Sequence, residues 1–90
     1  MTYLITCIDK KDALDLRLAT RSEHIDYLKS IKEKLILAGP ILDENQNPKG
    51  TVLVLDFENI EQVEMFLEND PYNKVNLFEE VKIVKFMKVL

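Results

Sequence analysis

Ninety residues with 47% hydrophobic and 31% charged side chains, two Gly and three Pro describe one folded globular domain. That composition excludes a two-domain enzyme, a disordered chain and a low-complexity repeat. Twelve basic residues against sixteen acidic ones leave a formal net charge of −4, a field that repels a phosphate backbone and excludes general nucleic-acid binding. In chain order, residues 2–8 (Thr-Tyr-Leu-Ile-Thr-Cys-Ile) are rich in β-branched and aromatic types and predict a strand ending at Asp9. Residues 10–19 are charged and lack a clean period, so they read as a loop with at most one helical turn. Thr20 with Glu23 three positions on forms a capping box, and Ile25, Leu28, Ile31 and Leu35 recur at helical spacing; together they predict a helix over 21–34. Ile36–Leu42 reads as a second strand. Its Ala38-Gly39-Pro40 run places it at a sheet edge or a bulge, because proline forfeits a ladder hydrogen bond.

The polar cluster from Asp43 to Gly50 predicts a turn, and the nearly continuous apolar run Thr51–Phe57 a third strand. Asn59 caps a second helix with Gln62 at its third position, and Ile60, Val63, Phe66 and Leu67 form its buried stripe. Pro71 disfavours helical geometry at Asp70 and closes that helix. A last strand is expected over 80–89. The order β-α-β-β-α-β predicts an α+β, ferredoxin-like fold: a four-stranded antiparallel sheet with both helices on one face. A Rossmann-type parallel sheet needs a longer chain and a Gly-rich turn.

Such a sheet leaves its second face to water unless something covers it, and an open face calls for alternating apolar and polar residues. Here Tyr3, Ile5 and Cys7 oppose Leu4 and Ile8, Val52 and Val54 oppose Leu53 and Leu55, and Val81 and Ile83 oppose Val84 and Phe86. Both faces are apolar. The simplest cover is a second copy, so the expectation is a homodimer packed through the sheet face as a dimeric α/β barrel.

The topology also gathers polar residues. The end of the first strand (Asp9), the start of the first helix, the end of the second helix and the start of the last strand meet at one edge. His24 extends the first helix's buried stripe through Leu28 and Ile31, and Asp70 extends the second's through Phe66 and Val63. A carboxylate beside an imidazole fixes one tautomer or favours the charged ring, making the pair a candidate acid/base centre. Arg21, one turn before His24, is a candidate for holding an anionic group at the helix start; Asp9 and Tyr72 are candidate substrate-positioning residues. Each has a structural alternative: a brace between helices for the pair, a strand end for Asp9, packing for Tyr72. Cys7 in mid-strand reads as a small core residue.

One cysteine and one histidine exclude an intrachain disulfide and argue against the common zinc sites, so neither metal nor cofactor is expected. No apolar run reaches the ~20 residues of a membrane span, and no basic-then-apolar leader opens the chain. A cytoplasmic protein without a membrane partner is expected.

Arg21-x-x-His24, Ala38-Gly39-Pro40 and Asp70-Pro71-Tyr72, in this order and spacing, resemble the YciI-like (YCII-related) proteins over essentially the whole chain. The resemblance implies a ferredoxin-like dimeric α/β barrel whose site is built on a His-Asp pair, here His24 and Asp70. A related member dehydrochlorinates a chlorinated hydroxyquinol, and the wider superfamily includes muconolactone isomerase-like enzymes and cofactor-free monooxygenases. The sequence departs from the pattern at Lys85, where many members carry Pro before the Phe. The leading functional expectation is a small cofactor-independent enzyme performing acid/base chemistry on a small cyclic or anionic organic substrate, as isomerase, lyase or dehydrochlorinase. The alternative is a non-catalytic small-ligand-binding or assembly module.

Overall fold

The computed structural model describes residues 1–90, and its faces are set by the alternation along β1 (Thr2–Asp9). Successive strand side chains point to opposite faces, which buries Tyr3, Ile5 and Cys7 and turns Leu4, Thr6 and Ile8 the other way. β1 pairs antiparallel with β3 (Pro48–Asp56) on one side and β4 (Phe78–Phe86) on the other; β2 (Leu35–Leu42) pairs with β3, giving the order β2-β3-β1-β4. The expected four-stranded antiparallel sheet of ferredoxin-like connectivity is the one observed. Pro40 lies on edge strand β2, whose register with β3 shifts at both ends. Gly50 is required in β3, since a Cβ there would collide with the Cys7 carbonyl oxygen.

The helices are α1 (Leu14–Lys29), α2 (Ile60–Glu68) and the single turn α3 (Pro71–Lys74). Leu28 of α1 and Val63, Phe66 and Leu67 of α2 pack on Tyr3, Ile5, Cys7, Leu53 and Leu55 to form the core. Fully burying each of these large side chains contributes about 1.5–3 kcal/mol. Tyr27 ties the two helices together: its hydroxyl donates to the Phe66 carbonyl at 2.7 Å and its ring stacks on Phe66 at 4.8 Å.

Several boundaries differ from the sequence expectation, among them that of β3, which takes in Pro48, Lys49 and Gly50 of the expected turn and ends at Asp56 rather than Phe57. The first helix spans 14–29, not 21–34, so residues expected to form a loop are two helical turns. Thr20 is inside the helix and its hydroxyl donates back to the Leu16 carbonyl at 2.8 Å, so it caps nothing. The reason is that α1's inward stripe is Arg17, Thr20, His24 and Leu28, with Leu16 and Leu18 exposed; a polar stripe carries no hydrophobic period to detect. The last strand spans 78–86, not 80–89, because its register with β1 runs out where Phe86 pairs with Thr2. The α2 cap is as expected, with Asn59 accepting from the Gln62 amide and the Gln62 side chain accepting from the Glu58 amide, both at 3.0 Å. Ile60, expected on the buried stripe, is 37% exposed. Pro71 ends α2 as expected and then serves as the first residue of α3, the position that tolerates its missing N–H.

The face away from the helices carries Leu4, Ile8, Val52 and Val54 at its centre and Leu37, Val84 and Phe86 toward its edges. Leu37 and Val84 are 50% and 51% exposed. No helix is long and apolar enough to cross a membrane.

Candidate active site

His24 is on α1 one turn before Leu28, so the helix that buries the leucine also carries the imidazole into the interior, where it is 4% exposed. Asp70 approaches from the α2–α3 corner. Pro71 forces extended backbone at Asp70 (φ −63°, ψ 128°), and the carboxylate turns inward as the N-cap of α3. Its Oδ1 accepts from the Tyr72 amide at 2.9 Å and lies 2.9 Å from His24 Nδ1. A carboxylate only accepts, so Nδ1 is the donor of this bond, and a neutral ring that keeps it carries its lone pair on Nε2. Asp70 Oδ2 is the one sealed side-chain polar atom without a partner. The His24 Nε2 and the Tyr72 hydroxyl make no hydrogen bond either, but they are not sealed; both side chains line a cavity.

That cavity measures about 370 Å³ and lies between α1 and the β2–β3 side of the sheet. Arg17, Arg21, His24 and Tyr72 give it polar groups; Leu18, Ile25, Leu28, Ala38 and Pro40 give it apolar walls. Tyr72 packs flat against His24, with ring centres 4.0 Å apart and planes at 19°, while the Arg17 guanidinium lies 4.5 Å from the centre of the same ring.

Of the five residues singled out from sequence, His24, Asp70 and Tyr72 form one hydrogen-bonded and stacked group. Arg21 lines the cavity but lies in mid-helix and exposed, not at a positive helix end. Asp9 does not line the cavity: its carboxylate takes Arg17 Nε at 2.6 Å and Nη2 at 3.0 Å, and so anchors the arginine from behind. Sequence reasoning missed Arg17 and Thr51, whose hydroxyl accepts from Arg17 Nη2 at 2.6 Å. The signal for Arg17 was its place seven residues before His24, visible only once the helix is started at Leu14.

Burial pushes the Tyr72 phenol above its ordinary value, against the opposing pull of Arg17 and Arg21, so it is a hydrogen-bond donor at neutral pH. Burial first, and the Asp70 charge second, push the Cys7 thiol from 9.0 to about 12. Between those values the folded chain keeps a proton that the unfolded chain has released. The Cys7 contribution to stability is therefore complete below about pH 9 and falls by about 1.4 kcal/mol per pH unit as pH rises toward 12. Urea midpoints at pH 8 and pH 10.5 are expected to differ more for the wild type than for Cys7→Ala. Equal pH slopes for the two would remove the effect.

The family model for the YCII-related domain matches residues 1–87. The chain belongs to that family. Among YCII-related proteins it is 30% identical over 97 aligned positions to Protein YciI of Escherichia coli O6:H1, covering 99% of both chains. It is 32% identical to an uncharacterized protein of Haemophilus influenzae at the same coverage. The 5-chloro-2-hydroxyhydroquinone dehydrochlorinase TftG of Burkholderia phenoliruptrix, solved with 2,5-dihydroxybenzoquinone, superposes with a TM-score of 0.91 at 28% identity, over 97% of this chain and 94% of that one. A putative antibiotic biosynthesis monooxygenase from Bacteriodes thetaiotaomicron superposes at 0.61 with 10% identity, over 100% of this chain and 90% of that one, a likeness of fold alone.

Proposed function

We propose that this YCII-related protein is a small acid/base enzyme in which His24 Nε2 takes a proton from a small cyclic or anionic organic substrate. Asp70 holds the imidazole in the Nδ1–H tautomer and stabilises the imidazolium once the proton has moved. The observation that carries this reading is the buried 2.9 Å contact between Nδ1 and Oδ1, which leaves the opposite ring nitrogen uncommitted beside a cavity. Arg21 and Tyr72 position the substrate, and Asp9 contributes through Arg17. A volume of about 370 Å³ suits one ring with a few substituents. General acid/base catalysis supplies ~10²–10⁴-fold, and orientation between the apolar walls and the stacked Tyr72 supplies more.

The likeness to TftG supports dehydrochlorination of an oxygenated ring as the first activity to test. In such a step a proton passes to Nε2 and chloride leaves with its bonding pair, a net loss of HCl. Isomerase and other lyase reactions begin with the same proton transfer. The functional unit is a homodimer joined through the open sheet face, supported by the apolar residues on that face.

The test is chloride release from 5-chloro-2-hydroxyhydroquinone, followed with an ion-selective electrode. Release by the wild type that exceeds the buffer rate and is lost in His24→Ala is the expected result; release that survives the substitution unchanged overturns the assignment.

A further inference from the structure

We infer that the cavity selects the ionised form of its ligand, that Arg17 is the group that reads the anionic oxygen, and that the ligand class is small planar acids with charge delocalised across one ring. The inference rests on the proposed function only in taking this cavity as the substrate site. Three observations carry it.

The first is the charge of the lining. The residues around the cavity include two guanidinium groups and one imidazole but no carboxylate, in a chain whose net charge is −4. Asp9 lies behind Arg17 and Asp70 behind His24, so each acid is turned to a ring or guanidinium N–H and neither faces the space. An anion entering meets donors on one wall and no repelling acid.

The second is the state of Arg17, which is 4% exposed. Asp9 takes Nε and one Nη2 hydrogen, Thr51 takes the other, and the Tyr72 ring holds the guanidinium plane. The two Nη1 hydrogens have no acceptor within the chain, and Nη1 is not among the sealed atoms. A nearly buried cation with its plane fixed and two donors unspent is preorganised for an oxygen, since no side-chain freedom remains to be lost on binding. Arg21 is exposed and makes no such contacts, so its approach to a ligand carries an ordering cost.

The third is spacing. Arg17 and His24 are seven residues apart on α1, about 10 Å along its axis, yet the imidazole centre lies 4.0 Å and the guanidinium carbon 4.5 Å from the centre of the Tyr72 ring, so both groups converge on one side chain. Proton acceptor and anion receptor are no farther apart than those two distances together, a gap that one substituted ring spans. A planar ligand that carries its acidic oxygen and its reacting centre on one conjugated ring reaches both. Delocalisation then brings the charge created by proton loss at Nε2 to the Arg17 end, where donors are already aimed.

The probe is 4-nitrophenol, whose absorbance reports its ionisation. Spectrophotometric pH titration with and without protein is expected to show the bound probe ionising at least one pH unit lower, meaning phenolate binds about tenfold or more tightly than phenol. R17M/D9N removes the ion pair together, leaving no stranded carboxylate, and is expected to abolish the shift. Arg17→Lys keeps the charge and loses the fork, so it serves should the double variant not fold; it is expected to reduce the shift by more than half. Arg21→Met is expected to weaken binding of both forms alike, as loss of a positioning residue does, and so to keep the shift. His24→Ala is expected to lose turnover and keep the shift, which separates a failure of the base assignment from a failure here. Equal binding of the two forms, no binding of either, a shift that survives in R17M/D9N, one left undiminished in Arg17→Lys, or one that vanishes in Arg21→Met overturns the inference.

Discussion

Replacing His24 with alanine is expected to lower turnover about 10²–10⁴-fold, with substrate affinity changed far less. The imidazole is the one side chain at the cavity with a basic ring nitrogen: the Tyr72 phenol is held protonated and the arginines only donate. The substitution leaves a hole open to solvent, so added imidazole is expected to restore part of the rate, an outcome that a purely structural brace does not produce. Asp70→Asn separates charge from geometry. An amide oxygen in place of Oδ1 still accepts from Nδ1 and from the Tyr72 amide, so tautomer and α3 cap survive while the charge that supports the imidazolium is lost. The expected loss is about 10–10²-fold, smaller than for His24, since a charge-assisted hydrogen bond is roughly twice as strong as a neutral one. A brace alone predicts the reverse pattern: lower thermal stability in both variants and rates unchanged.

The second large effect is expected at Val84. In a sheet-to-sheet homodimer this side chain, 51% exposed in a single chain, is covered by the partner; Val84→Lys places an ammonium group inside that contact. A buried charge without a partner costs several kcal/mol, enough to weaken association by about 10³-fold. Light scattering is expected to give twice the 10.5 kDa chain mass for the wild type at micromolar concentration and a single chain mass for the variant. Because Val84 is on a face the core does not use, the variant is expected to keep its circular dichroism spectrum. A wild type that is monomeric at that concentration overturns the dimer.

The sequence carried the fold well wherever a strand alternates or a cap is explicit. β1, the Asn59–Gln62 cap and the Pro71 stop are written in side chains that act within a few residues of themselves. The meeting of His24 with Asp70 was legible because two helical stripes, each anchored by apolar residues, had to end at one edge. What stayed hidden is the first two turns of α1. Arg17 and Thr20 face inward there for bonds to groups distant in sequence or to the preceding turn, and hydrophobic periodicity is blind to a buried polar stripe. Missing those turns displaced Arg21 to a helix end and left Asp9 free, when a neighbour eight residues away had already claimed both its oxygens. The end of β4 was misplaced for a different reason: a strand stops where its neighbour does, and composition at 87–89 says nothing about where β1 begins.

The two sides of the cavity are built from unlike material. Every basic group hangs from α1, while edge strand β2 supplies Ala38, Gly39 and Pro40, which bring shape and no chemistry. Ala38 faces the same side as Leu53 in the middle of the sheet and takes part in none of the side-chain hydrogen bonds of the reactive cluster. Selection by size and reactivity are thus inherited on separate stretches of chain, and enlarging one small residue on the outer strand narrows the range of accepted guests while the proton-handling apparatus stays as it is.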